Sequence, residues 1–247
     1  MLKKDPFGYY FFLKRFLILT LGTLTWFRYR VYNKVDISGM EELEKLSEKG
    51  VLFVANHQTY FAETILLYHV FSAHKNGIRN KLPLPWYLLN PKVRLYFVAA
   101  LETMKAGFIP KLFAYAGSIS IKRTWREAGK NINRKVDLKD ISNIGTALDF
   151  GWVITFPQGT TTPFVPGRRG TAHIIKKYNP VVVPVVVDGF RRAFDKKGLF
   201  LKKTNTTLKV TFKEPLQFSE NENAEEIIDK IMQAIEQRPI PPAVANL

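Results

Sequence analysis

Residues 181–187 read VVVPVVV, an uninterrupted apolar run made almost wholly of valine. A strand with one wet face alternates apolar and polar residues. A continuous run belongs to a strand covered on both faces, the usual setting of a parallel sheet between helices. Short apolar runs recur at Val51–Ala55, Leu95–Ala99, Ser118–Ile121, Val153–Phe156 and Thr206–Phe212. Between them lie stretches of helical character at about 60–73, 102–115, 137–150 and 169–178. A last one, at about 222–237, opens with Asn and Glu residues that suit a helix N-terminus. Strands alternating with helices predict an α/β fold with a mixed, largely parallel sheet flanked by helices. The stretch 122–139 is polar and basic and reads as a surface loop leading into a helix. A chain of 247 residues holds one such domain and a terminal appendage.

The appendage is expected at residues 1–35, with the α/β domain over 36–247. Residues 7–27, FGYYFFLKRFLILTLGTLTWF, are apolar except around Lys14 and Arg15. The clean part, Phe16 to Phe27, is 12 residues long. A bilayer span needs roughly 20. Tyr9, Tyr10, Trp26 and Tyr29 flank it, with Arg28, Arg30 and Lys34 close by. Aromatic residues beside cations suit the membrane–water interface, so a pair of interfacial or re-entrant membrane helices is expected. No small-residue cleavage site follows, which argues against a secretory signal. The plainer alternative is an ordinary helix packed on the protein's own core.

The formal net charge is +16. Such a surplus attracts nucleic acid, acidic lipid head groups or phosphorylated substrates. Residues 1–35 carry seven Lys/Arg against one Asp, and 167–203 carry ten against two acids, whereas 214–237 is acidic. No aromatic–basic nucleic-acid motif is present, and nucleic acid is not an expected partner. The absence of cysteine excludes disulfides, a thiolate nucleophile and a cysteine-based zinc site.

Three stretches carry candidate chemistry. In NHQTYFAE (56–63), His57 follows an apolar strand, where α/β folds place reactive groups. Glu63 lies six positions on. Within one helix the two would face different ways, since each step turns about 100°. They meet only if His57 lies in a turn and Glu63 in the first turn of the next helix, with Thr59 as a plausible N-cap. A carboxylate there holds Nδ1–H and leaves Nε2 free as a base. The bland alternative is a glutamate that favours a helix N-terminus and a histidine that caps a strand end. FPQGTTT (156–162) makes a tight turn whose N–H and hydroxyl donors suit an anion or ester, although many such turns merely connect elements. GSISIKR (117–123) ends in two cations, of which Arg123 suits a bidentate phosphate contact or is a solvated charge. GRRG (167–170) precedes a helix and reads equally as an anion site or a basic loop.

Taken in order, NHQTYFAE, G-x-x-x-x-x-R, F-P-x-G-T and VVVPVVVDG (181–189) resemble the glycerolipid acyltransferase superfamily. This is the lysophospholipid acyltransferase family that includes 1-acylglycerol-3-phosphate acyltransferase. The resemblance runs from about Val35 to Phe212. It implies acyl transfer from acyl-CoA or acyl-carrier protein to a lysolipid hydroxyl, with no further cofactor, and a two-helix N-terminal anchor. It implies His57 as general base, oriented by Glu63. Arg123 would bind a phosphate, and Phe156, Pro157, Gln158, Gly159 and Thr160 would line the acceptor site. Asn56 and Arg168 join that substrate-binding set. Two departures stand out. The family's usual Asp five positions after His is here Ala62, with Glu63 one step later. The usual F-P-E-G-T-R has Gln158 for the acid and Thr161 for the arginine.

The leading expectation is an O-acyltransferase at the cytoplasmic face of the membrane, peripheral or monotopic, with membrane lipids and the acyl donor as partners. Thr161 keeps a phosphate-free lyso-aminolipid open as acceptor. Ala62 and Gln158 keep open a non-catalytic lipid-binding relative. A serine hydrolase is disfavoured because GSISI lacks the closing glycine of a G-x-S-x-G elbow. No metal is expected: His69 and His74 form no H-E-x-x-H pattern, and His173 stands alone.

Overall fold

The computed structural model describes residues 3–105, 107–122, 126–127, 130–131 and 137–238. Val51–Ala55 shows why the sheet lies between two helical layers. Every residue of this strand is buried. Val51, Phe53 and Ala55 face one apolar core, and Leu52 and Val54 face the other. Period-two alternation divides the side chains between the cores, so neither face tolerates a polar residue. Fully burying each larger side chain contributes about 1.5–3 kcal/mol.

Among the described residues, seven strands form one sheet: β1 (Lys34–Ser38), β2 (Val51–Ala55), β3 (Leu95–Ala100), β4 (Ser118–Ile121), β5 (Trp152–Thr155), β6 (Val181–Asp188) and β7 (Thr207–Phe212). Their order is β1-β7-β6-β2-β5-β3-β4. Only β6 and β7 pair antiparallel. The expected mixed, largely parallel sheet is therefore present. β1 was not legible as a strand: it is an edge strand with alternating exposure and three polar residues in KVDIS.

The longer helices are α1 (Phe11–Arg30), α2 (Ala62–Lys75), α3 (Phe108–Gly117), α4 (Leu138–Phe150), α5 (Arg169–Tyr178) and α6 (Ala224–Ala234). α4, α5 and α6 cover one face of the sheet through Ile144, Ala172 and Ile228. α2 covers the other and is buried from Ala62 to Ala73. The single helix expected over 102–115 is broken into Leu101–Lys105 and α3, with Gly107 as the α3 N-cap. Within the expected loop 122–139, Arg126–Glu127 pairs antiparallel with Lys130–Asn131.

The N-terminal segment needs correction. One helix, α1, occupies it rather than a pair. No helix among the described residues is long and apolar enough to cross a membrane. The inner face of α1 is core: Leu17, Ile18 and Tyr29 are buried, and the Tyr29 hydroxyl donates to the carbonyl of Ala62 at 2.8 Å. Lys14, which interrupts the apolar run, is fully buried 3.4 Å from Asp5. Burial pulls its ammonium down to about 8 against the opposing pull of Asp5. The outer face leaves Phe12, Phe16, Leu24 and Phe27 exposed.

His69 of α2 joins α1 to the 3-10 turn Pro85–Leu89. Its Nδ1 pairs with the Tyr87 hydroxyl at 2.9 Å and its Nε2 with Thr25 Oγ1 at 3.3 Å. Burial lowers its pKa to about 3. The unfolded chain, with an ordinary value near 6.5, therefore binds the proton first as pH falls. Stability carried by neutral His69 is full above about pH 6.5 and is lost progressively toward about pH 3. We expect His69→Gln, which does not titrate, to flatten the decline of melting temperature between about pH 6.5 and about pH 4.5. Some slope will remain, because burial also lowers His74. Thermal unfolding followed by circular dichroism measures the difference.

Candidate active site

β2 lies between β5 and β6, so the C-terminal ends of three parallel strands converge. Residue 56 locks two of them. The Asn56 amide donates to the Val187 carbonyl at 2.9 Å and accepts from the Val187 N–H at 2.7 Å. It continues the β2–β6 ladder by one side chain. Asn56 is 4% exposed, and both its polar ends are used. It holds the frame behind the site, which corrects its expected place among substrate contacts.

His57 follows directly. Its Nδ1 is 2.7 Å from Glu63 Oε1. The Glu63 side chain is fully buried in the first turn of α2. Oε1 also accepts from Gln58 N–H at 2.7 Å and from Thr59 N–H at 2.9 Å, and Oε2 accepts from the Thr59 hydroxyl at 2.5 Å. Thr59 Oγ1 in turn accepts from Ala62 N–H at 3.0 Å. The helix N-cap is Phe61, so Thr59 acts two residues ahead of the position expected for it. Residues 59–61 form a loop that carries the acid back to the imidazole, and six positions of separation suffice. Burial alone would raise the Glu63 pKa; the hydrogen bonds and charge of His57, with the Thr59 bonds, hold it below the usual carboxylate range. An ionised partner accepts Nδ1–H and leaves the lone pair of neutral His57 on Nε2. The ring stacks on Phe156 at a centroid distance of 4.0 Å and an interplanar angle of 20°.

His57 and Phe156 line a cleft of about 460 Å³. Its inner wall is apolar, with Phe61, Phe97, Met104 and Ile144. Its rim carries Lys122, Arg168, Arg169, His173 and Lys196, with Asp137 and Asp140 both against Lys122. Pro157, Gly159 and Thr160 also face it. The turn is closed by Gly159 N–H donating to Phe156 O at 2.9 Å, with Pro in its second position and Gly at φ +65° in its fourth. Gln158 points the other way. It is 1% exposed, and its Nε2 donates to Val165 O at 3.1 Å and Gln237 Oε1 at 3.3 Å. The expectation that it lines the acceptor site is corrected: the turn directs it inward. Arg168 stands at the α5 N-cap, and its N–H donates to Pro157 O at 2.8 Å, joining the turn to the helix. Arg123 lies outside the described residues.

Sequence reasoning missed two ties. Gln58 Nε2 donates to Val187 O at 3.2 Å and to Asp188 Oδ1 at 3.3 Å, and its Oε1 accepts from Arg191 N–H at 3.2 Å. The Arg191 guanidinium donates to Thr161 O at 2.5 Å. Neither has a local sequence signal, because the partners lie far apart in the chain. The whole arrangement places an acceptor nitrogen on an oriented imidazole, over an apolar cleft with a cationic rim. It can take a proton from a bound hydroxyl.

A family model for acyltransferases matches residues 34–188. No curated protein sequence matches the chain. Among solved structures, the chain is similar to the 1-acyl-sn-glycerophosphate (LPA) acyltransferase PlsC of Thermotoga maritima. The two are 17% identical with a TM-score of 0.54, and the match covers 90% of this chain and 78% of that one. At that identity the likeness establishes the fold.

Thr59→Val is expected to cost about 1–3 kcal/mol, because Ala62 N–H loses its acceptor and Glu63 Oε2 its hydroxyl donor in a dry setting. Thr59→Ser keeps both bonds and loses only a methyl, roughly 0.8 kcal/mol. Denaturant midpoints of the two variants check the contrast.

Proposed function

Because the chain belongs to the acyltransferase family, we propose that it is a membrane-surface O-acyltransferase that moves a fatty acyl chain from acyl-CoA or acyl-carrier protein to the hydroxyl of a 1-acylglycerol-3-phosphate-like lysolipid. The observation that carries this reading is the 2.7 Å contact between His57 Nδ1 and the buried carboxylate of Glu63. It directs Nε2 to act as the base. Nε2 takes the proton of the acceptor hydroxyl as its oxygen attacks the thioester carbonyl. The tetrahedral oxyanion then collapses, the carbon–sulfur bond breaks, and the leaving thiolate takes the proton from the imidazolium. The ester forms without an acyl-enzyme. Glu63 stays ionised throughout and stabilises the charged ring.

The cationic rim supports a phosphate-bearing acceptor. Thr161 carries no charge, yet the Arg191 guanidinium donates to the carbonyl of that residue. A cation therefore lies beside the turn, and Arg168, Arg169 and Lys196 lie in the cleft lining itself, which favours the phosphate-bearing lysolipid over a phosphate-free lyso-aminolipid. The intact dyad geometry weighs against a purely binding relative. Membrane association is supported by the exposed Phe12, Phe16, Leu24 and Phe27 of α1, and by Leu84, Trp86 and Leu89 at the adjoining 3-10 turn Pro85–Leu89. Arg15 and Arg30 are exposed on the same helix. Aromatic and basic residues together suit a cytoplasmic leaflet rich in anionic lipid.

We expect His57→Ala to lower acyl transfer at least roughly hundredfold while far-UV circular dichroism is unchanged. Mass spectrometry of products formed from each donor with each acceptor reads it. Full activity in that variant, or no transfer by the wild type to any lysolipid, rejects the mechanism. Arg191→Gln should raise KM for the phosphate-bearing acceptor more than for a phosphate-free one.

A further inference from the structure

Residues 195–203, DKKGLFLKK, fold back on themselves beyond β6. Phe194 and Leu201 form an antiparallel bridge, and Asp195 N–H donates to Phe200 O at 2.9 Å. The Asp195 carboxylate is taken up inside the turn, accepting from Leu199 N–H at 2.8 Å and Phe200 N–H at 2.9 Å. Outward there remain Lys196, Lys197, Lys202 and Lys203, all exposed, around a Phe200 that is 71% exposed. A large aromatic ring held in water among four cations costs free energy unless something covers it.

Contacts on two sides place this hairpin. Its inner side meets the end of α1: Arg28 Nη2 donates to Gly198 O at 2.9 Å, and Asn205 N–H donates to Tyr32 O at 2.7 Å. The exposed Phe27, Val31 and Tyr32 of that helix end are thus its neighbours. Its other side meets the dyad loop. Tyr60 N–H donates to Lys196 O at 3.0 Å, and a Cβ at Gly198 (φ +76°) would lie 2.5 Å from Thr59 Oγ1. The hairpin therefore bridges the apolar face of α1 and the mouth of the cleft.

We propose that the 195–203 hairpin is a second lipid-contact element, in which Phe200 enters the headgroup region of an anionic membrane while Lys197, Lys202 and Lys203 hold its surface. This rests on the membrane-surface reading above. Charge complementarity commits it to anionic lipid, and continuity with the exposed aromatic end of α1 favours a bilayer over a carrier protein. An acidic protein would meet the same cations but offers no reason for the apolar residues to extend along α1. Seated this way, the hairpin sets the cleft mouth at the plane where a lysolipid hydroxyl lies.

The test uses the full chain and co-sedimentation with phosphatidylcholine vesicles, with and without phosphatidylglycerol. Each cation near an anionic membrane surface contributes about fivefold to partitioning. The triple variant Lys197→Gln, Lys202→Gln, Lys203→Gln should lose roughly tenfold or more of its binding to the anionic vesicles and little of its binding to the neutral ones. Phe200→Ser should weaken both several-fold. Both variants should melt like wild type and turn over a short-chain, monomeric lysolipid at the wild-type rate. Unchanged vesicle binding in both variants overturns the proposal. So does intact vesicle binding with transfer lost only from acyl-carrier protein, which would assign the hairpin to a protein donor. Vesicle binding is read without turnover, so a failure of the acyl-transfer chemistry would leave the hairpin judged separately.

Discussion

A carboxylate removed from water must be ionised and matched on every side, or it must take up a proton. Glu63 meets the first condition. His57 and the backbone N–H groups of Gln58 and Thr59 converge on Oε1, and the Thr59 hydroxyl closes on Oε2. Removing any one donor leaves part of a buried charge uncompensated, a loss of about 1–3 kcal/mol. The loop 57–62 therefore has one conformation that satisfies its own acid, and that conformation presents the imidazole to the cleft. The frame supports it from three directions. Asn56 fixes the strand end, Tyr29 holds the Ala62 carbonyl, and Gly198 fills the space beside Thr59.

The central strands were legible because burial on both faces leaves a composition that no exposed segment tolerates. VLFVA and VVVPVVV are such segments, and both are strands of the sheet. The stretch 169–178, of helical character in the sequence, is helix α5 over Arg169–Tyr178. The edge strand β1 was not, since an edge tolerates the polar residues that blur a period of two. α1 was misjudged as a pair. Lys14 and Arg15 look like one interruption on paper, yet one points into the fold to meet Asp5 and the other into solvent. That division depends on a partner nine residues away.

In the candidate site, residue types were legible and directions were not. His57 and Glu63 were singled out together, and the turn between them was inferred from the impossibility of a shared helix face. That a turn must absorb the extra residue was legible; its conformation was not, because it depends on Thr59 donating and accepting at once. Phe156 and Gln158 belong to one tight turn, yet the first stacks on the imidazole and the second faces Val165 and Gln237. Motif letters place both in the site. Only the backbone of the turn separates the wall from its buttress.

The packing of α1 sets a limit on how far that helix can enter a lipid phase. A helix whose inner half belongs to a protein core offers a lipid phase only its outer half. With a helix diameter of about 10 Å, the depth available is about 5 Å. That reaches the boundary between head groups and acyl chains and stops far short of the opposite leaflet. Where α1 meets a lipid phase, that helix would float as a raft does, wetted on one side and fixed to its own core on the other.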